Sequence, residues 1–122
     1  MSNIRATTIS DAAGTGPITL TGQSAAKAWL NMNGQGTIAI RDSLNVSSIT
    51  DVTVGYFGHA YTSSFSSQNY CTQGTCVDLW YGSMLSPTAL QLSSGYNFYT
   101  HGQNQTLYDP VYAGVASTGD LA

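Results

Sequence analysis

Ala26-Lys27-Ala28-Trp29-Leu30-Asn31-Met32-Asn33, the pair Gly34-Gln35, and Gly36-Thr37-Ile38-Ala39-Ile40-Arg41-Asp42-Ser43 form the stretch on which the fold reading turns. Side chains of an extended chain alternate between two faces. Ala28, Leu30 and Met32 therefore share one side, and Lys27, Trp29, Asn31 and Asn33 share the other. The aliphatic side suits a core, which leaves Trp29 on a face suited to an interface. A glycine turn signal between two alternating runs predicts an antiparallel hairpin.

Outward from this hairpin the same pattern continues. Asn45 to Asp51, Val52 to Gly58 and His59 to Phe65 are rich in β-branched and aromatic residues and read as strands. Tyr70 to Val77 reads as a second hairpin with Gln73-Gly74 at its tip and Val77 to Tyr81 as its return strand. Tyr96 to His101 and Val111 to Ser117 complete the strands, and Pro87 limits the helix-compatible spacing of Leu85 to Leu92 to a turn. Eight or nine short strands predict an all-β fold, a small antiparallel β-sandwich or jelly-roll-like domain over residues 25–122. Before it, the glycine-rich turn Gly14-Thr15-Gly16-Pro17 lies in a short extended N-terminal arm over residues 1–24.

Composition narrows the function. Only 7% of the 122 residues are charged, against about 25% in an ordinary soluble domain. The net charge is -3, and Arg5, Lys27 and Arg41 are too few to neutralise a phosphate backbone, so nucleic acid is a poor partner. No apolar run is long enough to insert in a membrane as a helix, and Met-Ser-Asn-Ile-Arg does not open a signal peptide, which predicts a cytoplasmic product.

Chemistry-bearing constellations are sparse. A Gln73-Gly74 turn would set Cys71 opposite Cys76 at a separation a disulfide can span, and a reduced pair is equally compatible with a cytoplasmic origin. Zinc needs about four ligands, and Cys71, Cys76, His59 and His101 have no ligand spacing behind them, so no metal and no cofactor is expected. No Gly-x-Ser-x-Gly elbow marks a nucleophile, and the six acidic residues, all Asp, are scattered near turns. A non-enzymatic protein is expected; a small polysaccharide-degrading enzyme using Asp78 or Asp109 with a histidine is the enzymatic alternative. What does accumulate is Tyr and Trp among Asn, Gln and Ser, the mixture contact surfaces use, with Phe57, Phe65 and Trp80 as core rings.

The block Ala26 to Gly34 followed by Gly36 to Asp51, with its Lys27-Ala28-Trp29 and Asn45-Val46-Ser47-Ser48-Ile49-Thr50-Asp51 segments, resembles a block of tailed-bacteriophage virion proteins of the tail-fibre type, known in marine and cyanobacterial phages. Looser likeness extends through Tyr61 to Phe65, Ser67 to Tyr70 and Gly119 to Ala122. Where that family places a glycine-rich turn after Thr-Asp, this chain has Val52 to Gly58, and the Cys71/Cys76 segment also departs from the pattern.

The resemblance implies a virion structural protein on the tail or capsid surface, made in the host cytoplasm and forming a homotrimer. On that reading it is a short tail-fibre or spike protein that attaches to a host-surface glycan or protein receptor. The alternative is a capsid decoration or head-fibre protein. Residues 1–24 would join another virion protein, Lys27, Trp29 and Asn31 would meet neighbouring subunits, and Tyr56, His59, Gln73, Tyr96, Tyr99 and His101 would stand in exposed binding loops.

Overall fold

A computed structural model describes residues 25–77, 83–85, 91–102 and 105–122, with Ala13 singly. The expected arm over residues 1–24 lies otherwise outside the described residues, as does Trp80. The described residues form nine strands and no α-helix: β1 (Ala26–Asn33), β2 (Ala39–Leu44), β3 (Val46–Thr53), β4 (Tyr56–Tyr61), β5 (Cys71–Val77), β6 (Ser83–Leu85), β7 (Gln91–Leu92), β8 (Gly95–His101) and β9 (Tyr112–Thr118). They make two antiparallel sheets around a common core, the layout of a β-sandwich. One sheet has the order β2-β1-β9-β5, and the other has the order β3-β4-β8-β6 with β7 also on β8.

The hairpin read from the opening stretch is present. β1 pairs with β2 from Trp29↔Leu44 to Asn33↔Ala39, with a bulge at Asn31/Met32. Ala28, Leu30 and Met32 are buried, whereas Lys27, Trp29 and Asn33 are half-buried and Asn31 is exposed. Its connection ends the first strand at Gly34, where a Cβ would meet the Phe57 ring at 2.9 Å and Pro110 at 3.0 Å. The close approach lets the Gly34 amide donate to the Pro110 carbonyl at 2.9 Å, so glycine here serves packing as well as turning.

One expected strand is broken by a turn, and one expected turn is absent. Val52 to Gly58 is not one strand: the chain reverses at Val54-Gly55, with Gly55 at φ 65, and β4 begins at Tyr56. The predicted hairpin at Gln73-Gly74 is a single strand, whose seven residues pair with β9 from Cys71↔Thr118 to Val77↔Tyr112 without a register shift. An uninterrupted ladder outweighs the local preference of a Gln-Gly dipeptide for a turn.

Between the sheets, Leu30, Met32, Phe57, Cys76, Tyr96, Phe98, Ala113 and Val115 form one buried cluster, and Ala28, Tyr61, Phe65 and Tyr70 form a second. Tyr70 lies face to face with Phe65 at 4.3 Å, and Tyr61 meets both rings edge-on. Polar tips of these rings are satisfied. The Tyr61 hydroxyl bonds Ser117 at 2.9 Å, which bonds Thr72 at 3.1 Å, and the Tyr70 hydroxyl donates to the carbonyls of Leu92 and Gly95. Burial raises the pKa of both phenols above the ordinary value, so they stay protonated.

The strands run between two ends of the sandwich. At the base, Ala26 pairs with Thr118, which pairs with Cys71, and the Ala122 amide bonds the Ser64 carbonyl. Asn45 also lies there, at φ 56, where the chain leaves β2 for β3. At the opposite end, the apex, lie the β1-β2 connection, the Val54-Gly55 turn, Val77 and the segment from Gln105 to Val111. Eight residues of extended chain set β1's two ends about 23 Å apart.

Candidate functional site: the apex

A cleft of about 810 Å³ lies at the apex, lined among the described residues by Gln35, Val54, Val77, Leu107, Tyr108, Asp109, Val111 and Tyr112. Four separate segments of chain build it. Val54 is 55% exposed and Val77 56%, and Leu107, Val111 and Tyr112 are exposed as well. This much aliphatic surface in one concavity is a feature of interaction sites, because scattered single apolar residues do not gather into a patch.

Polar groups hold its walls in place. Asp109 accepts from the Gly55 amide at 2.7 Å, which fixes the tight turn that presents Val54. The Thr100 hydroxyl donates to the Tyr108 carbonyl at 2.6 Å, and the Tyr108 hydroxyl points at the Cys76 sulfur at 3.3 Å. On the outer side, the Arg41 guanidinium lies 4.1 Å over the Tyr112 ring and donates to the Val111 carbonyl at 2.8 Å. That contact turns the ring into a fixed wall. The Asp109 carboxylate is thus engaged at the Gly55 turn, and Asp78 lies outside the described residues.

Three of the six expected binding residues converge beside this cleft. Tyr56 at the start of β4 and Tyr99 on β8 are paired neighbours, stacked at 4.4 Å, and His101 meets Tyr99 edge-on at 6.1 Å. The Asn97 side chain donates to the Tyr56 hydroxyl at 3.1 Å, which holds the stack upright. All four stand on the outer face of the second sheet, since they alternate with buried Phe57, Phe98 and Thr100.

The other three are elsewhere. His59 and Tyr96 are each only 6% exposed and sit on strands, not in exposed loops, with their side chains in the sandwich core. Gln73 is exposed but lies on β5 in the other sheet. His59 is wrapped by Tyr61, Tyr96 and Phe98, and its Nδ1 has no hydrogen-bond partner among the described residues. Burial lowers its pKa from 6.5 to about 4, so the ring is neutral at pH 7.

Cys71 and Cys76 are five residues apart on one strand, Cys71 exposed and Cys76 buried on the opposite face. Five extended residues span about 16 Å, beyond the reach of a disulfide between them, so the turn geometry that would have joined them is replaced by a straight strand. His59 and His101 likewise point to opposite faces of their sheet, and no three His, Cys, Asp or Glu side chains gather among the described residues. Lys27, Trp29 and Asn31 share the outer face of the first sheet, as their alternation predicted.

Val54, Leu107 and Val111 were not singled out by sequence reasoning. Their signal is an apolar residue where turn residues are expected: beside Gly55, after Asn104-Gln105-Thr106, and after Pro110. Comparison with known proteins adds no relative: no family model matches the chain, and neither a curated protein nor a solved structure matches it.

Proposed function

We propose that the protein is a non-enzymatic virion component of a tailed bacteriophage, a short tail-fibre or spike protein whose apex contacts a host-surface glycan or protein receptor. Its polarity carries this reading. Ala25, where the chain comes in from residues 1–24, and Ala122 lie at the base, and the apolar cleft with its Tyr56, Tyr99 and His101 flank lies at the other end. An attachment protein needs this separation, so that the anchored end and the recognising end do not compete for space. Uncharged rings and aliphatic walls also suit recognition at high salt, where charge-based contacts are screened.

On this proposal residues 1–24 join another virion protein, and three copies assemble with their bases together. Immunogold electron microscopy with antibody against the recombinant chain tests the placement. Label at the tail supports it; label over the capsid overturns it in favour of a decoration protein. A screen of host glycans and of host surface proteins with the recombinant chain then separates the two receptor classes.

A further inference from the structure

Asn33-Gly34 is the one Asn-Gly pair in the chain. Such a pair is chemically labile, because a glycine amide nitrogen has no neighbouring side chain to hinder its attack on the preceding asparagine's side-chain carbonyl. Both residues are nonetheless demanded by their places at the apex. A Cβ at position 34 would meet the Phe57 ring at 2.9 Å and Pro110 at 3.0 Å, so glycine is the residue that fits. The Asn33 side-chain amide donates to the carbonyls of Gln35 at 2.7 Å and Thr37 at 3.2 Å, which ties the β1-β2 connection together. The same contacts restrain both reacting groups. Gly34 is buried and donates its N–H to the Pro110 carbonyl at 2.9 Å, while the Asn33 amide is engaged twice.

From this arrangement we infer that Asn33 is a self-modification site, a deamidating asparagine that the Gly34–Pro110 contact keeps closed. When the contact opens, the Gly34 nitrogen gives up its proton to solvent and attacks Cγ of Asn33. A C–N bond forms there, and the side-chain nitrogen takes up a proton and leaves as ammonia. Water then opens the resulting succinimide at either of its two carbonyls, breaking that carbonyl's bond to nitrogen. The product is aspartate, or isoaspartate with the main chain running through the former side chain. Either one carries a carboxylate in place of the amide, and a carboxylate cannot donate to the carbonyls of Gln35 and Thr37. The connection that carries Gln35 into the cleft is then released. Conversion at Asn33 is chemistry of this chain alone and proceeds whether or not the apex meets a receptor.

To test this, the full chain is held at mildly alkaline pH, folded or unfolded in urea, and amide-to-acid conversion at Asn33 is followed by peptide mass spectrometry. Circular dichroism checks folding. The folded protein is expected to convert at least about tenfold more slowly than the unfolded one, because ring closure waits on local opening. Equal rates would overturn the inference. Deuterium exchange of the Gly34 amide, read by NMR on the folded protein, reports release of the Pro110 carbonyl directly and is expected to be slowed as well. Free exchange at Gly34 would overturn the guarding role of that contact. Asn33→Asp makes one product at once. Order parameters of Gln35 and Thr37 should fall in this variant while those of the strands hold, and unchanged values would overturn the release of the connection.

Discussion

Base and apex are made of opposite materials. At the base, serine, asparagine and threonine turns are tied down by main-chain bonds: Phe65 to Ser93 at 2.8 Å, Ser66 to Asp120 at 2.8 Å, and Asn45 bonded to both main-chain groups of Ser63. Beneath them lies a cluster of three aromatic rings. At the apex the turns are also tied down, Gly34 to Pro110 at 2.9 Å, Thr100 to Gly55 at 2.9 Å and Gly55 to the Asp109 carboxylate, but their side chains form an open apolar cleft. Apolar surface left in water contributes nothing to folding, so the apex is stabilised from below while its exposed side chains remain available for contact. Substitutions at the base should therefore cost stability, and substitutions at the apex should cost binding.

The largest expected effect is at the base. Phe65→Ala, at a ring 2% exposed and packed on Tyr61 and Tyr70, should cost about 3–5 kcal/mol in urea unfolding. Retention of wild-type stability would show that the base cluster does not hold the sandwich.

Next comes a pH effect at the core between the two ends. Unfolding frees His59 to bind a proton below pH 6.5, whereas the folded ring takes one only near pH 4. The unfolded state thus binds more protons across that window, and stability should fall by about 3 kcal/mol as pH drops from 6.5 through 4. No stability is gained from this group above pH 6.5. Thermal melts of His59→Phe should show the decline over that window reduced by this amount; an unchanged decline would assign it to other groups.

Asn45→Ala should cost about 1–2 kcal/mol, because alanine tolerates φ 56 poorly and leaves Ser63 without its side-chain partner. The smallest stability change is expected at the apex. Val54→Ser and Leu107→Ser, both at exposed side chains, should shift unfolding by no more than about 0.5 kcal/mol. Large destabilisation there would mean the cleft is a structural element and would erase the contrast between the ends.

How much of this was legible follows from how local each signal is. The β1-β2 hairpin could be read because its alternation sets aliphatic against polar residues on either side of a glycine turn. In β4 the alternation sets Phe57, His59 and Tyr61 against Tyr56, Gly58 and Ala60, so polarity suggests the wrong placement for His59. What buries it is size: at Gly58 a Cβ would come within 2.6 Å of the Asn97 side chain, so the small residues line the crowded outer surface and the rings fill the core. Gln73-Gly74 looks like a turn in isolation, and only the β9 ladder, some forty residues away, straightens β5. The apex cleft is non-local altogether, since its residues come from four separate segments of the chain. The convergence of Tyr56, Tyr99 and His101 depended on the same pairing of β4 with β8.

The most direct test of the central claim is binding of fluorescently labelled recombinant protein to host cells, comparing wild type with Val54→Ser/Leu107→Ser at the apex and with Asn69→Ala, an exposed change at the base. The account predicts that the apex variant, folded and assembled as the wild type is, loses most of its cell binding and that the base variant keeps it. Undiminished binding by the apex variant would contradict the assignment of recognition to that end of the sandwich.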